Sequence, residues 1–488
     1  MKRKKASTTE NIARKRQRKS VRPYRIVSLV CVLLFLSLAV YMAYFQVAER
    51  DDILNSPYNK RTEQLAEKVT RGSILAGDGT VLARTDIDAQ GNETRVYPYS
   101  DLFAHTVGYL DYGSSGLESS ENSVLLTSHA DLTDQVSSDI KDEKKKGDNI
   151  VTTLNVNLQQ AASDAIGEHK GAVFVMDADT GNVLADVSKP AFNPNSIVQD
   201  WSTLTSEENE SSGVFVNRAM QGLYPPGSTF KIVTALAYLR QYGTFDNFSF
   251  RCTGSFENSG YTIHCAGNKA HGEETFADAM ANSCNCAFAS MAVEKIDKKI
   301  LRETAEELGF NASYSLDLPS SKSKFTLDEN TPNQLTMQTG IGQGETLATP
   351  MQMCMIADAV ANGGTMMEPN FISRIENTSG AVVKTINSKS AGTVMTADEA
   401  HQLTSIMEAV VQNGTASTLN DLPYHIAGKT GTAQYGDVSE GKAHSWFTGF
   451  SRTGGEDIVV CVLIEDGGNG NAPAVDAAKQ IFQKYFAG

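Results

Sequence analysis

Apolar positions along the chain fall into three patterns. The first is unbroken: from Ile26 to Val47 the run IVSLVCVLLFLSLAVYMAYFQV contains no charged residue. At ~1.5 Å rise per residue a helix of this length crosses the roughly 30 Å hydrocarbon core of a bilayer, so the run predicts a transmembrane helix. A buried core helix or a cleaved signal peptide competes with that reading, but the apolar core of a signal peptide normally covers only about 7–15 residues before a small-residue cleavage site. The second pattern has helical spacing and recurs in VNLQQAASDAIGEH (156–169), STFKIVTALAYLRQ (228–241), PMQMCMIADAVANGG (350–364) and a last segment from Ala474 to Phe486.

The third pattern is a set of short apolar runs bounded by turn residues. GAVFVMDADTGNVLADVS (171–188) reads as two strands around Asp179-Thr180-Gly181-Asn182, and AGKTGTAQ, HSWFTGFS and DIVVCVLIED (457–466) supply three more. Hairpins favour antiparallel pairing, so the expectation is an α+β fold: one antiparallel sheet flanked by helices, with a helical subdomain inserted between the two strand groups. Upstream, RGSILAGDGTVLA (71–83) reads as two short strands around Gly77-Asp78-Gly79, inside a small strand-rich module. The Ser-rich stretch 111–140 and the charge run KDEKKKGD (141–148) read as a solvated connection. A chain of 488 residues suggests roughly two to four domains. The expected division is a basic tail 1–25, an anchor 26–47, an N-terminal pedestal 48–150 and a large domain 151–488.

Charge orients this division. Residues 1–25 carry eleven Lys or Arg against Glu10, about +10, and the chain total of −14 leaves about −24 for the rest. A basic cluster alone could bind nucleic acid, but beside an apolar span it sets topology: Lys2 to Arg25 stay cytoplasmic and everything after Ala48 lies outside. The acidic ectodomain then meets no nucleic acid. Of the seven cysteines, Cys31 sits in the span and six face a compartment where disulfides form; Cys252 and Cys265 are the plausible pair. Cys284 and Cys286 lack the two-residue spacing and the second nearby pair of a zinc site, so no metal is expected.

Three short motifs carry candidate chemistry: Ser228-Thr-Phe-Lys231, Ser283-Cys-Asn285 and Lys429-Thr430-Gly431-Thr432. Ser321-Lys324 and Ser120-Asn122 match the first two by chance, so context must discriminate. Ser228 follows the turn Tyr224-Pro225-Pro226-Gly227 and opens a helix, which puts Ser228 and Lys231 on one face. A serine hydroxyl needs a base, and a desolvated lysine can accept its proton; equally, Ser228 read alone is an N-cap and Lys231 a solvated first-turn residue. Ser283 and Asn285 alternate with Cys284, so both can face one cleft, although a plain polar loop fits as well. On a strand Lys429 and Gly431 share a face, where the missing side chain would admit a ligand and the ammonium would attract a carboxylate; a lysine in a surface turn is the alternative.

Together S-x-x-K, S-x-N and K-T-G form the signature of penicillin-binding proteins and serine β-lactamases. With YPPGSTFK, IGQGETLATPMQM (341–353), NGTAS (413–417), HSWFTGF, RGSI and Gly116-Leu117-Glu118, nearly the whole chain resembles a class B penicillin-binding protein. The usual D-R-x-G of the pedestal is replaced by Gly77-Asp78-Gly79. The resemblance implies a peptidoglycan D,D-transpeptidase in which Ser228 attacks the D-alanyl-D-alanine bond, Lys231 is the base and Ser283 passes the proton to the leaving amine. It further implies that Asn285 holds the donor peptide, that Lys429, Thr430 and Thr432 recognise the terminal carboxylate, and that the backbone N–H groups of Ser228 and Thr432 form the oxyanion hole. β-Lactams would stall at the Ser228 ester, without metal or organic cofactor. A D,D-carboxypeptidase or a class D-like β-lactamase is the alternative, the latter disfavoured by length and anchor. The resemblance also implies a partner, a polytopic membrane glycosyltransferase of the shape, elongation, division and sporulation family.

Overall fold

The computed structural model describes residues 3–48, 64–131, 140, 143–435, 442–453, 456–468 and 472–487. Parts of the expected pedestal (49–63) and of the expected connection (132–139, 141–142) lie outside the described residues. The chain divides into two units, Met1–Thr62 and Glu63–Gly488. Among its described residues the first holds one helix, α1 (Arg3–Ala48), which includes Pro23 and most of the basic tail. Its segment Pro23–Gln46 contains an 18-residue stretch with a mean hydropathy of 2.7 and no buried residue, and among the described residues it is the one helix long and apolar enough to cross a membrane. A helix satisfies its own backbone hydrogen bonds, which is what lipid requires of a spanning segment.

In the second unit, the first sheet starts with β1 (Ile74–Leu75), β2 (Val81–Ile87), β3 (Glu93–Val96) and β4 (Asn149–Thr152). The chain then forms α2 (Val156–Ile166) and the expected hairpin, β5 (Gly171–Asp177) and β6 (Val183–Lys189). Far downstream come β7 (Ile372–Glu376) and β8 (Val382–Thr385), and these two return to the first sheet, whose order is β8-β7-β4-β1-β2-β3. Only the β1–β4 pair is parallel.

The polar stretch after residue 111 departs from its expected role as a solvated connection. Gly116–Ser120 and Asn122–Leu125 form short helices, and Leu117, Glu118 and Leu125 are fully buried. Glu118 sits between Arg71 Nε at 2.6 Å and Arg95 Nε at 2.7 Å, and Arg95 Nη1 also donates to Gly72 O at 2.7 Å. Burial raises the Glu118 carboxyl, but Arg95 and Arg71 together outweigh it and hold it below its ordinary value.

The remaining strands, β9 (Ile426–Gln434), β10 (Ala443–Thr453) and β11 (Glu456–Ile464), join the hairpin in a five-stranded antiparallel sheet of order β9-β10-β11-β5-β6. Helices cover both faces, which is why its central strands are apolar at successive positions rather than at alternate ones. The Phe447 ring meets Phe482 of the C-terminal helix Ala472–Ala487, while the next residue, Thr448, donates to Met353 O in the helix Pro350–Ala361 on the opposite face. β9 lies at the sheet edge, and the catalytic candidates gather beside it.

Candidate active site

Two prolines and Gly227, at φ +54°, turn the chain ahead of Ser228. The expected helix start appears as a 3₁₀ turn, Gly227–Phe230, which continues into α3 (Lys231–Tyr242). This turn abuts β9 more closely than side chains would permit: a Cβ on Gly227 would stand 2.9 Å from Thr432 O, and one on Gly431 would stand 3.0 Å from Pro226 O. The space left at Gly431 is therefore taken by the turn that carries Ser228, where the sequence suggested an approaching ligand. Gly342, at φ +72°, closes the other side: Gly227 N donates to its carbonyl at 2.8 Å, and a Cβ there would lie 2.0 Å from Gly227 O. The run IGQGETLATPMQM thus supports the Ser228 turn, a role that sequence spacing did not reveal.

The second motif is a kink between helices. Ser283 has φ +53°, and Cys284 caps α4 (Asn285–Ser290) by accepting from Ala287 N at 3.4 Å. Cys284 is fully buried while Ser283 and Asn285 both face Lys231, as their alternation suggested. Lys231 Nζ donates to Ser283 O at 2.7 Å and to Asn285 Oδ1 at 2.9 Å, and lies 3.3 Å from Ser283 Oγ. The other end of the Asn285 amide donates to His264 O at 3.0 Å. Lys231 is fully buried, with its ammonium 5.2 Å from the centre of the Phe288 ring. Burial pushes its pKa down to about 8, against the opposing pull of Cys284, Cys265, Cys286 and Glu274.

Lys429 enters from the third segment. It too is fully buried, and its Nζ donates to Ser283 Oγ at 3.0 Å and to Thr430 O at 3.0 Å. Burial, then the charge of Lys231, push it well below its usual range. The Ser283 hydroxyl therefore bridges two amines whose charged forms are disfavoured, and such a hydroxyl can accept a proton on one side and pass one on from the other. Thr430 Oγ1 lies 2.6 Å from Thr415 Oγ1, so NGTAS reaches the site through a residue for which the sequence offered no role. Ser228 Oγ is half-buried and has no hydrogen-bond partner among the described residues; catalytic contacts are often long before substrate binds. Of the decoys, Ser321 Oγ donates to Gln221 O at 2.9 Å and Ser120 lies in a pedestal helix.

Three separated segments thus place a serine, two lysines with lowered basicity, a bridging hydroxyl and an amide beside one edge strand. Residues 171–486 match the penicillin-binding protein transpeptidase domain, and residues 71–150 match the penicillin-binding protein A dimerisation domain. The chain belongs to the penicillin-binding protein transpeptidase family. This penicillin-binding protein is 28% identical over 496 residues to the peptidoglycan D,D-transpeptidase PbpA of Mycobacterium tuberculosis, covering 95% of this chain and 99% of that protein. The D,D-transpeptidase domain of a peptidoglycan glycosyltransferase from Eggerthella lenta superposes with a TM-score of 0.77 at 29% identity, over 86% of this chain and 99% of that one. The penicillin G acyl-enzyme complex of M. tuberculosis penicillin-binding protein A superposes with a TM-score of 0.76 at 27% identity, over 86% and 99%. The class B reading of the motifs stands.

Proposed function

We propose that this penicillin-binding protein is a peptidoglycan D,D-transpeptidase that works through a Ser228 acyl-enzyme and is inhibited by β-lactams. The observation that carries the reading is the Ser283 hydroxyl, held between Lys231 Nζ and Lys429 Nζ beside the Ser228 turn. Ser228 Oγ bonds to the carbonyl carbon of D-alanyl-D-alanine as Lys231 takes its proton. The C–N bond then breaks as Ser283 gives its proton to the departing D-alanine amine and takes the one held on Lys231, which leaves the lysine neutral again. An amine from a neighbouring stem peptide attacks the ester, forming the cross-link and returning the proton to Ser228. Asn285 holds the donor backbone, Lys429, Thr430 and Thr432 face its terminal carboxylate, and the N–H groups of Ser228 and Thr432 receive the oxyanion, a type of contact worth about 3–4 kcal/mol per donor. Gly431 contributes by letting the turn approach β9.

The same reading places residues 1–25 in the cytoplasm, 26–47 in the membrane, and the pedestal 48–150 and transpeptidase domain 151–488 outside. Its membrane partner is a polytopic glycosyltransferase, met through the anchor and pedestal. Exchanging residues 26–47 for an unrelated apolar helix lowers co-purification with that partner, and undiminished recovery would remove the helix-mediated contact.

Intact-protein mass spectrometry of the detergent-solubilised full chain with benzylpenicillin tests the chemistry. The expected result is one slowly clearing adduct on Ser228, missing from Ser228→Ala. A folded chain that stays unmodified would remove the acyl-enzyme reading, and rapid turnover of the drug would favour a β-lactamase.

A further inference from the structure

Directly behind the Ser283-Cys284-Asn285 kink, four cysteine sulfurs and one imidazole gather in the interior. Cys265 Sγ lies 3.7 Å from Cys252 Sγ, 3.7 Å from Cys284 Sγ and 3.4 Å from Cys286 Sγ, and all four are unbonded thiols. The ligand atoms of Cys252, Cys265, Cys284 and His271 all lie within 4.8 Å of one another. Local pairing brings them together. The antiparallel pair Phe250–Cys252 and Gly272–Glu274 sets Cys252 opposite Gly272, next to His271, and Cys265 N donates to Gly254 O at 3.1 Å. The helix cap then inserts Cys284 from the other side.

We propose that Cys252, Cys265, Cys284 and His271 bind one zinc ion in a closed tetrahedral site that anchors the SxN loop of the active site. A tetrahedral site with Zn–S bonds of about 2.3 Å has sulfurs about 3.8 Å apart along its edges, close to the spacing already present around Cys265. The donor set is soft thiolate with one imidazole, which selects zinc over hard cations such as magnesium or calcium. Independently of the sulfurs, the side chain of His271 is only 8% exposed, yet its Nδ1 has no hydrogen-bond partner. Glu274 Oε1 lies 3.6 Å from that nitrogen, and Glu274 Oε2 is likewise buried without a partner. Buried polar atoms are normally satisfied, and a metal at this point would take the imidazole lone pair.

Binding is a ligand exchange without electron transfer. Three thiols release their protons to solvent as the sulfurs and the imidazole displace water from the ion, while Cys286 remains a neighbouring thiol. The expectation of no metal rested on the spacing of Cys284 and Cys286, but the fold draws its donors from separate segments instead. Cys284 stands between Ser283 and Asn285, and Asn285 donates to the carbonyl of His264, the residue before Cys265. One ion would thus fix both residues that hold Lys231.

The test uses the full chain, solubilised in detergent and purified without a metal-affinity tag or chelator. Elemental analysis should find about one zinc per chain, and free-thiol counting should find Cys252, Cys265, Cys284 and Cys286 all reduced. After stripping, Co²⁺ added alone should give thiolate-to-cobalt charge-transfer absorption with the visible bands of tetrahedral cobalt. That readout needs no variant, so it survives a substitution that fails to fold. Cys252→Ser should lower zinc affinity by more than about 100-fold, since even groups behind a ligand are worth roughly 10–100-fold, whereas Cys31→Ser should change nothing. Native disulfides among the four cysteines, zinc below about a tenth of an equivalent with no cobalt spectrum, or full zinc retention by folded Cys252→Ser would each overturn the proposal.

Discussion

The transpeptidase sheet has strands of seven to eleven residues, and its central strands are buried in apolar side chains on both faces. The pedestal sheet has strands of two to seven residues, register shifts at three of its pairings, and a buried carboxylate clamped by two arginines. Apolar burial is non-directional and spread over many residues, so the five-stranded sheet can lose any one contact at a small local cost. The Glu118 cluster is concentrated: removing Glu118 leaves Arg71 and Arg95 buried together without a counter-charge. The five-stranded sheet is therefore the more redundant of the two, while the pedestal adds to its own apolar core, Ile74, Leu82, Leu117, Leu125 and Ile150 among it, a charge cluster that has no substitute.

Four measurements break or sharpen this contrast. Lys231→Ala should lower the rate of benzylpenicillin acylation by roughly 10²–10⁴-fold, the usual worth of a general base, and stopped-flow or quenched mass spectrometry reads it directly. An unchanged rate would detach the chemistry from the α3 turn.

Next in size, Glu118→Ala should destabilise the pedestal by about 3–5 kcal/mol, because Arg71 and Arg95 remain buried without their counter-charge. The two tryptophans report on different places: Trp446 lies in β10, whereas Trp201, in the helix Ile197–Leu204, stacks at 4.6 Å on Tyr112 of the pedestal segment. In single-tryptophan variants the urea transition reported by Trp201 should move further than the one reported by Trp446. Equal shifts would show one cooperative unit and end the comparison.

The third effect is on pH. The Lys231 pKa near 8 lies below its ordinary 10.5, so the neutral base accumulates as pH rises, and acylation should climb roughly tenfold per unit up to about pH 8 before levelling. Between about pH 8 and 10.5 the folded chain binds fewer protons at this residue than the unfolded chain, so its contribution to stability increases with pH across that window. A flat profile below pH 8 would mean that Lys231 is already neutral or is not the base.

The smallest effect belongs to the redundant sheet. Ile458→Val, at a fully buried position in β11, should cost about 0.5–1.5 kcal/mol and leave acylation unchanged. A larger loss would mean that this sheet is as brittle as the pedestal.

Local patterning made much of the molecule legible. The strands β5 and β11 announce themselves because a strand buried on both faces must be apolar at successive positions, and the C-terminal helix does so through its helical period. The candidate site residues were legible for a related reason: Ser228 and Lys231 sit within one helical turn, and Ser283 and Asn285 within one kink, so their spacing carries their geometry. Glu118 was harder to see, since a buried acid among serines looks like solvent-facing sequence until Arg71 and Arg95 surround it.

The sequence alone determined the apolar span, the strand and helix types, and which residues could act as nucleophile, base and hydroxyl relay. Those properties follow from side-chain chemistry and from periodicities of a few residues. Tertiary structure alone decided that β7 and β8 complete the pedestal sheet, that Gly431 and Gly342 make room for the Ser228 turn, and that Cys252, Cys265, Cys284 and His271 share one pocket. Each of these is a contact between segments far apart along the chain, and no local period encodes such a contact.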